Sequence, residues 1–127
     1  MKANRTILII EDDESVMWLL KHILSDYNVK SFKMVDKAIN WLSNGFRPDL
    51  IISDLSLPGL HGYDLIKNLK RSGLYSDIPL IILSASLDDK TRETSLALGA
   101  DDFFTKPFNP DSFTKHIDYL TYQKKVA

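Results

Sequence analysis

Short apolar runs separated by helix-length segments constrain the fold of this chain more than any other feature. Three of these runs, Ile7–Ile10, Leu50–Ser53 and Ile78–Leu83, are apolar almost throughout, as expected of strands buried on both faces. A weaker alternating run, Asn28–Phe32, is typical of an edge strand, and a fifth short strand is predicted around Phe103. Strict alternation of strands and helices indicates βαβ units around a parallel sheet.

Helix-length segments follow each of the five runs. The first has apolar residues at i, i+3, i+4, i+7 and i+8, namely Val16, Leu19, Leu20, Ile23 and Leu24; the second has Val35, Ala38, Ile39 and Leu42, and Gly45 can end it. The third places Leu65, Ile66 and Leu69 inward, and the last buries Phe113, Ile117 and Leu120 after Asn109-Pro110.

The fourth helix, from about Asp88 to Leu98, differs from the others. Thr91, Thr94 and Ser95 interrupt its apolar stripe, and Gly99 follows it. Few apolar contacts imply a low free energy of local opening, so we expect it to be the least firmly docked helix.

These elements predict an α/β fold, a three-layer doubly wound (βα)5 sandwich of the flavodoxin-like type. A five-stranded parallel sheet of order 2-1-3-4-5 leaves the weak second strand at an edge. This order also places the switch point between strands 1 and 3. Ligands of open α/β sheets bind at the carboxyl edge beside such a point.

Composition narrows the class of protein. A length of 127 residues predicts a single domain, residues 1–127 with a core of about 6–122 and no effector domain. Absence of cysteine excludes disulfides and thiolate zinc sites, and a formal net charge of −1 gives no basic field for nucleic acid or anionic lipid. Apolar runs are too short to span a membrane, and no secretory leader precedes the first strand, so we expect a soluble cytoplasmic protein.

Acidic side chains end two of the predicted neighbouring strands. Glu11 and Asp12 follow the first strand and Asp54 follows the third, so the predicted sheet brings their carboxylates together. Two such charges ~4 Å apart repel by about 4 kcal/mol at an effective dielectric constant near 20, which favours a bound cation or a raised pKa. Oxygen ligands of this kind suit Mg²⁺. The neighbouring Asp13 and Glu14 are better explained as the N-terminal cap of the first helix.

A hydroxyl and an ammonium group end two further strands. Ser84 follows the fourth strand, and Lys106 follows the fifth. An aspartate at a strand end commonly forms a turn, but Asp54 beside a metal site, a lysine and a hydroxyl has the groups that phosphoryl transfer to a carboxylate requires. We therefore interpret the set as a phosphoryl-accepting site.

The same stretches resemble the receiver domain of two-component response regulators, over essentially the whole chain from Thr6 to about Tyr122. The matching stretches are Ile7-Leu8-Ile9-Ile10-Glu11-Asp12-Asp13-Glu14, Asp54-Leu55-Ser56-Leu57-Pro58-Gly59, Ser84-Ala85 and Gly99-Ala100-Asp101-Asp102-Phe103-Phe104-Thr105-Lys106-Pro107-Phe108. Within that family, the chain resembles the single-domain regulators of the chemotaxis type.

The resemblance implies a role for each metal-site and acceptor residue. Asp54 is expected to accept a phosphoryl group from a kinase phosphohistidine. Glu11 and Asp12 are expected to form the acid pair, with Asp12 directly on Mg²⁺, for which Mn²⁺ can substitute. Asp54 and the backbone carbonyl of Ser56 complete the expected ligands.

Further roles follow from the resemblance for the switch residues. Ser84 is expected to hydrogen-bond a phosphoryl oxygen, and Lys106 to pair with the phosphoryl group and to precede a cis peptide bond to Pro107. Phe103 stands where the family often has a switch tyrosine, and it lacks the phenolic hydroxyl. Ser56 and Ser86 occupy the positions thought to tune dephosphorylation.

The resemblance also implies the function and the partners. We expect a phosphoacceptor in a phosphorelay that catalyses its own phosphorylation and dephosphorylation and is not a turnover enzyme. Its expected partners are a histidine kinase or phosphotransfer protein and a downstream protein target or effector domain, reached through the face of the fourth helix, fifth strand and fifth helix. Neither nucleic acid nor membrane is expected to bind directly, and a phosphorylation-dependent homodimer is an option that this face allows.

Other readings remain open at this stage. The chain is either a stand-alone receiver or a receiver excised from a larger protein. A phosphorylation-independent pseudo-receiver scaffold is one alternative. An Asp-nucleophile phosphohydrolase is a weaker one, because Ser56 stands where such enzymes have a second acid. A flavodoxin-like electron carrier is disfavoured by the acids after the first strand.

Overall fold

The structure is a computed structural model that describes residues 2–56, 62–86 and 88–126, with side chains up to residue 122. Its strands are β1 (Thr6–Ile10), β2 (Asn28–Phe32), β3 (Leu50–Asp54), β4 (Leu80–Ser84) and β5 (Asp102–Thr105), and its α-helices are α1 (Glu14–Ile23), α2 (Val35–Ser43), α3 (Gly62–Arg71), α4 (Asp89–Ala97) and α5 (Pro110–Val126). A short 3₁₀ turn, Lys2–Asn4, precedes β1. The Leu57-Pro58-Gly59 part of the motif after β3 lies outside the described residues.

The five strands form one parallel sheet in the order β2-β1-β3-β4-β5. β1 pairs with β2 on one side and with β3 on the other, so the first and third strands are neighbours at the switch point. The predicted fold class and strand order are confirmed, including the edge position of β2. Because all strands run in one direction, the polar residues at their carboxyl ends gather on one edge.

Alternate strand residues pack to opposite sides of the sheet and build two hydrophobic layers. Leu8 and Ile10 of β1 belong to the layer that includes residues of α2 and α3, whereas Ile7 and Ile9 belong to the layer of α1 and α5. All four side chains are almost completely buried. The continuous apolar run in β1 is explained by this burial on both faces.

Several helix ends agree with the sequence prediction. Asp13 caps α1, since its Oδ1 accepts hydrogen bonds from the backbone N–H groups of Ser15 (2.9 Å) and Val16 (3.1 Å). Asn109 Oδ1 accepts a hydrogen bond from the N–H of Ser112 (3.0 Å) at the start of α5. Gly45 and Gly99 have positive φ values, 95° and 117°, after α2 and α4.

Three details differ from the sequence prediction. β4 starts at Leu80 and not at Ile78, because the N–H of Ile78 is used in a turn to Tyr75 O. Met17 is buried in the α1 layer although it lay off the predicted stripe, and Ile39 of α2 is 39% exposed. Small rotations of a helix about its axis decide such flanking positions, and periodicity does not fix them.

The fourth helix has the sparse packing that its sequence predicts. Ser95 is the only residue of α4 that is buried, and its hydroxyl donates a hydrogen bond to Thr91 O (2.9 Å). The contrast with α5, which buries Phe113 and Ile117 completely, is clear. The low opening energy of α4 remains a prediction.

Among the described residues, no helix has both the length and the apolar character that crossing a membrane requires.

Candidate phosphoryl and metal site

The carboxyl edge of β1 and β3 brings three carboxylates together. Glu11 follows β1 directly, and its N–H donates to Phe32 O (3.0 Å), which extends the β1–β2 ladder by one residue. Asp54 is the last residue of β3. Oxygen atoms of Glu11, Asp12 and Asp54 all lie within 4.8 Å of one another. Glu11 and Asp54 are buried and Asp12 is exposed, so the cluster opens to solvent on the side of Asp12.

Lys106 places an ammonium group inside this acidic cluster. Its Nζ lies 2.6 Å from Glu11 Oε1 and 3.4 Å from Asp54 Oδ1. The N–H of Lys106 donates to Ser84 O (2.8 Å), which fixes its backbone beside the end of β4. The peptide bond between Lys106 and Pro107 is cis, as predicted. Two strand ends therefore hold the lysine between the carboxylates.

Burial dominates the electrostatics of Glu11. Desolvation raises the pKa of this carboxyl from 4.5 to about 7; the neighbouring Lys106 ammonium opposes this rise, and the charge of Asp54 adds to it. Desolvation alone would lower the pKa of the Lys106 ammonium, but Glu11 and Asp54 together raise it, so the lysine is protonated at neutral pH. The site thus combines a fixed cation with carboxylates that repel one another.

One oxygen of the cluster lacks a well-directed partner. Glu11 Oε1 is buried, and among the described residues no group meets the angular requirements of a hydrogen bond to it. Lys106 Nζ is close enough, at 2.6 Å, but its direction is unfavourable, so we regard the contact as an ion pair. A buried carboxylate oxygen without a hydrogen bond is available to coordinate a hard cation. The three carboxylates fit an oxygen-ligated divalent ion in this respect.

The backbone beside Asp54 contributes further polar groups. The N–H of Ser56 donates to Asp54 Oδ1 (3.3 Å), and the Ser53 hydroxyl donates to Asp54 O (3.0 Å). Leu55 N–H donates to Leu83 O (2.8 Å), which continues the β3–β4 pairing past the carboxylate. Asp54 is consequently held on a rigid strand end, which is the positioning that an in-line transfer requires.

Ser84 and Phe103 lie on the neighbouring strands. Ser84 ends β4 and is buried, and its Oγ accepts a hydrogen bond from the N–H of Ser86 (3.1 Å). Phe103 in β5 is also buried, with the Arg92 guanidinium 6.0 Å from its ring centroid and donating to Phe103 O (3.1 Å). The aromatic side chain thus lies inside the layer of α2 and α3.

Asp13 and Glu14 have the capping role that the sequence favoured for them. Asp13 is the N-cap of α1, and Glu14, the first helical residue, forms an ion pair with Lys33 (2.6 Å).

The direct contact between Lys106 and Glu11 was not predicted from the sequence. Parallel order of the strands places both residues at one edge, but the side-chain approach depends on coordinates.

Comparisons with known proteins identify the family of this chain. Residues 7–118 match the response regulator receiver domain family. The chain is 36% identical over 115 residues to the phosphate regulon transcriptional regulatory protein PhoB of Escherichia coli (strain K12), covering 89% of this chain and 50% of that protein. It therefore spans about half the length of the curated relatives it matches.

Solved structures show the same relationship. The signal receiver domain of a signal transduction histidine kinase from Syntrophus aciditrophicus is 37% identical, with a TM-score of 0.85 over 94% of this chain and 91% of that chain. The chemotaxis response regulator CheY4 of Vibrio cholerae is 25% identical, with a TM-score of 0.81 over 91% and 98% of the two chains. This chain belongs to the response regulator receiver domains of two-component systems.

Proposed function

We propose that Asp54 accepts a phosphoryl group from the phosphohistidine of a kinase or phosphotransfer protein. The observation that carries this proposal is the position of the Asp54 carboxylate on a rigid strand end, 3.4 Å from the Lys106 ammonium and within 4.8 Å of two further carboxylates. A carboxylate in such a place can attack phosphorus as a nucleophile. Family membership supports the same chemistry.

The transfer balances without a further reactant. A carboxylate oxygen of Asp54 forms a bond to phosphorus while the phosphorus–nitrogen bond of the donor imidazole breaks and its electron pair returns to nitrogen. Lys106 stabilises the charge on the phosphoryl oxygens, and the Ser84 hydroxyl donates a hydrogen bond to one of them. Later hydrolysis of the acyl phosphate restores Asp54, so the domain catalyses its own cycle and does not turn over a separate substrate.

A divalent ion belongs to this proposal. Glu11, Asp12, Asp54 and the backbone carbonyl of Ser56 would hold Mg²⁺, with Mn²⁺ as a substitute. When bound, the ion supplies neutralisation of the negative charge that carboxylates and phosphoryl oxygens share. The oxygen-only donor set and the poorly satisfied Glu11 Oε1 support this assignment.

Output is proposed to pass through the face of α4, β5 and α5. Phe103, already buried beside Arg92, is the proposed switch aromatic, and α4 is the least apolar helix bordering it. The partner is a downstream protein target or an attached effector domain, and a homodimer formed on phosphorylation would use this face. We do not propose that the domain binds nucleic acid or membranes directly. The proposed domain comprises residues 1–127.

Small-molecule phosphodonors test the acceptor. Phosphoramidate or acetyl phosphate with Mg²⁺ should add one phosphoryl mass to the protein, measured by intact-mass spectrometry, and beryllofluoride should compete. Asp54→Asn should remain unlabelled. Asp26→Asn is a matched control, because Asp26 is exposed outside the site, and it should be labelled like the wild type. An unlabelled wild type would favour a phosphorylation-independent scaffold, and sustained release of phosphate from many donors would favour a phosphohydrolase.

Metal binding is tested separately by calorimetric titration with Mg²⁺. Asp12→Asn should weaken binding without unfolding the protein, because Asp12 is exposed. The Asp26→Asn control should bind as the wild type does. Unchanged affinity in Asp12→Asn would show that the ion lies elsewhere.

A further inference from the structure

The outer edge of β2 has backbone groups that point away from the sheet. Asn28 N–H donates to Arg5 O (3.0 Å) and Phe32 O accepts from Glu11 N–H (3.0 Å), so these two residues face β1. Backbone groups of successive strand residues point to alternate sides. Val29 and Ser31 therefore direct their N–H and C=O groups outward, at the end of the strand order. An open edge of this kind can pair with another strand.

Aromatic side chains lie beside this edge on the α2 side of the sheet. Phe32 contacts Trp41, with ring centroids 6.3 Å apart, and Trp41 stacks on Phe46 at 5.2 Å. Phe46 is 54% exposed although it is a large apolar residue. Together with Lys30 and Arg47 these residues form what we call the β2-edge patch. A cavity of about 340 Å³ lies there, lined by Thr6, Asn28, Lys30, Trp41, Phe46 and Arg47.

The charge of the β2-edge patch is positive. Its cavity is lined by two cationic residues and, among the described residues, by no acidic one. The Lys30 ammonium lies 5.5 Å from the Phe32 ring centroid and forms no ion pair within the described part of the chain. Arg47 is partly neutralised, since it pairs with Asp77 and donates to Leu74 O. Lys30 is thus the cation available to a ligand.

A second copy of this chain is a poor occupant of the edge. Two β2 strands paired antiparallel about a two-fold axis through Lys30, the register that uses both outward residues of each strand, would oppose Val29 to Ser31 in hydrogen-bonded pairs and Lys30 to Lys30 between them. The opposed lysines would form a non-hydrogen-bonded pair, in which side chains are closest. Like charges directly opposite each other destabilise a strand pair. An acidic residue opposite Lys30 would instead stabilise the strand pair.

We propose that the β2 edge binds an extended acidic segment of a partner protein as a sixth strand. Backbone groups of Val29 and Ser31 would pair with the segment, an acidic side chain would lie opposite Lys30, and apolar side chains on the same face would cover Phe32, Trp41 and Phe46. This site is separate from the acidic cluster and needs neither metal nor phosphorylation.

A synthetic peptide tests the proposal on the full chain. The probe is a nine-residue peptide with a central glutamate, isoleucine two residues before and two residues after it so that all three side chains share one face, and threonine at the remaining positions. The control peptide has lysine in place of the glutamate. Binding is followed by the fluorescence of Trp41 in a Trp18→Phe background, because Trp18 is 67% exposed and replaceable. Hydrogen exchange at the amides of Val29 and Ser31 should slow on binding, whereas the amide of Phe32, which faces β1, is protected in both states.

Variants of the protein and of the peptide test whether the peptide binds at the β2 edge. Lys30→Glu should weaken binding of the acidic peptide by about two- to fivefold, the size of one cross-strand charge pair. Lys90→Glu makes the same change of charge on α4, where the side chain is exposed, and should leave the affinity unchanged. A peptide N-methylated on the amides that face β2 should not bind, while one methylated on the opposite edge should bind as the parent does.

Several results would overturn the proposal. Equal binding of the acidic and lysine peptides, or protection of amides away from β2, would exclude it. Binding of the peptide methylated on the β2-facing amides would show that no strand is added. Absence of peptide binding would mean that Lys30 only protects the edge from aggregation. A dimer in sedimentation velocity that slows exchange of the Val29 and Ser31 amides would assign the edge to self-association.

Discussion

Replacement of Glu11 by glutamine should remove a defined dependence of stability on pH. Glu11 is fully buried, and burial raises the pKa of its carboxyl from 4.5 to about 7 against the opposing effect of Lys106. The folded protein therefore binds this proton more tightly than the unfolded chain. The stabilisation from proton binding is fully present below pH 4.5 and is lost as the pH rises through 7.

The magnitude follows from the same pKa. A tenfold change in proton affinity corresponds to about 1.36 kcal/mol, so the loss between pH 4.5 and 8 approaches about 3 kcal/mol. Glutamine has the shape of the protonated side chain and does not titrate. The free energy of unfolding of the wild type should thus fall relative to that of Glu11→Gln as the pH rises, by up to this amount.

Urea unfolding in the presence of EDTA, at intervals from pH 5 to pH 8, measures this difference. Asp13→Asn is the control: hydrogen bonds from Ser15 and Val16 lower the pKa of the exposed Asp13 carboxyl, so its titration lies below this range. Its difference from the wild type should stay constant with pH. A constant difference for Glu11→Gln as well would refute the argument that the buried carboxyl holds a proton near neutrality.

Two further substitutions test the packing by urea unfolding. Phe113→Ala should lower the free energy of unfolding by about 3–5 kcal/mol, because the ring is fully buried between the sheet and α5. Tyr119→Ala, on the exposed face of α5, should lower it far less. Similar losses for both variants would contradict the assigned orientation of α5. Gly99→Ala should lower the free energy of unfolding by about 1–3 kcal/mol, because φ is 117° and a Cβ would lie 2.9 Å from Lys70 Cγ. Gly73→Ala is the control, since a Cβ at Gly73 would meet open space. An unchanged stability of Gly99→Ala would be inconsistent with the left-handed turn.

The sequence was sufficient to predict the sheet, because the central strands are buried on both faces. Continuous runs such as Ile7–Ile10 have no other stable placement in a chain of this length, and parallel order then brings Glu11 and Asp54 to one edge. The weak Asn28–Phe32 run was correctly assigned to an edge. These predictions depend on patterns that recur along the chain.

Side-chain contacts between distant segments could not be predicted in this way. The approach of Lys106 to Glu11 depends on how far each side chain reaches from its strand end. The stack of Phe46 on Trp41 requires the left-handed turn at Gly45, which reverses the chain after α2. A hydrophobic pattern specifies which face is buried, and it contains no information about such reversals.

A chain of short hydrogen-bonded turns connects the phosphoryl site with the start of α4. Ser84 Oγ accepts from Ser86 N–H (3.1 Å), Ser86 Oγ accepts from Asp88 N–H (3.1 Å), and Asp88 Oδ1 accepts from Lys90 N–H (3.0 Å). Rotation of the Ser84 hydroxyl toward a phosphoryl group on Asp54, which the proposed function requires, would disturb the first of these bonds. Since α4 buries only Ser95, little apolar packing opposes a shift of its N-terminus, and the sparse stripe is therefore consistent with a helix that responds to Ser84.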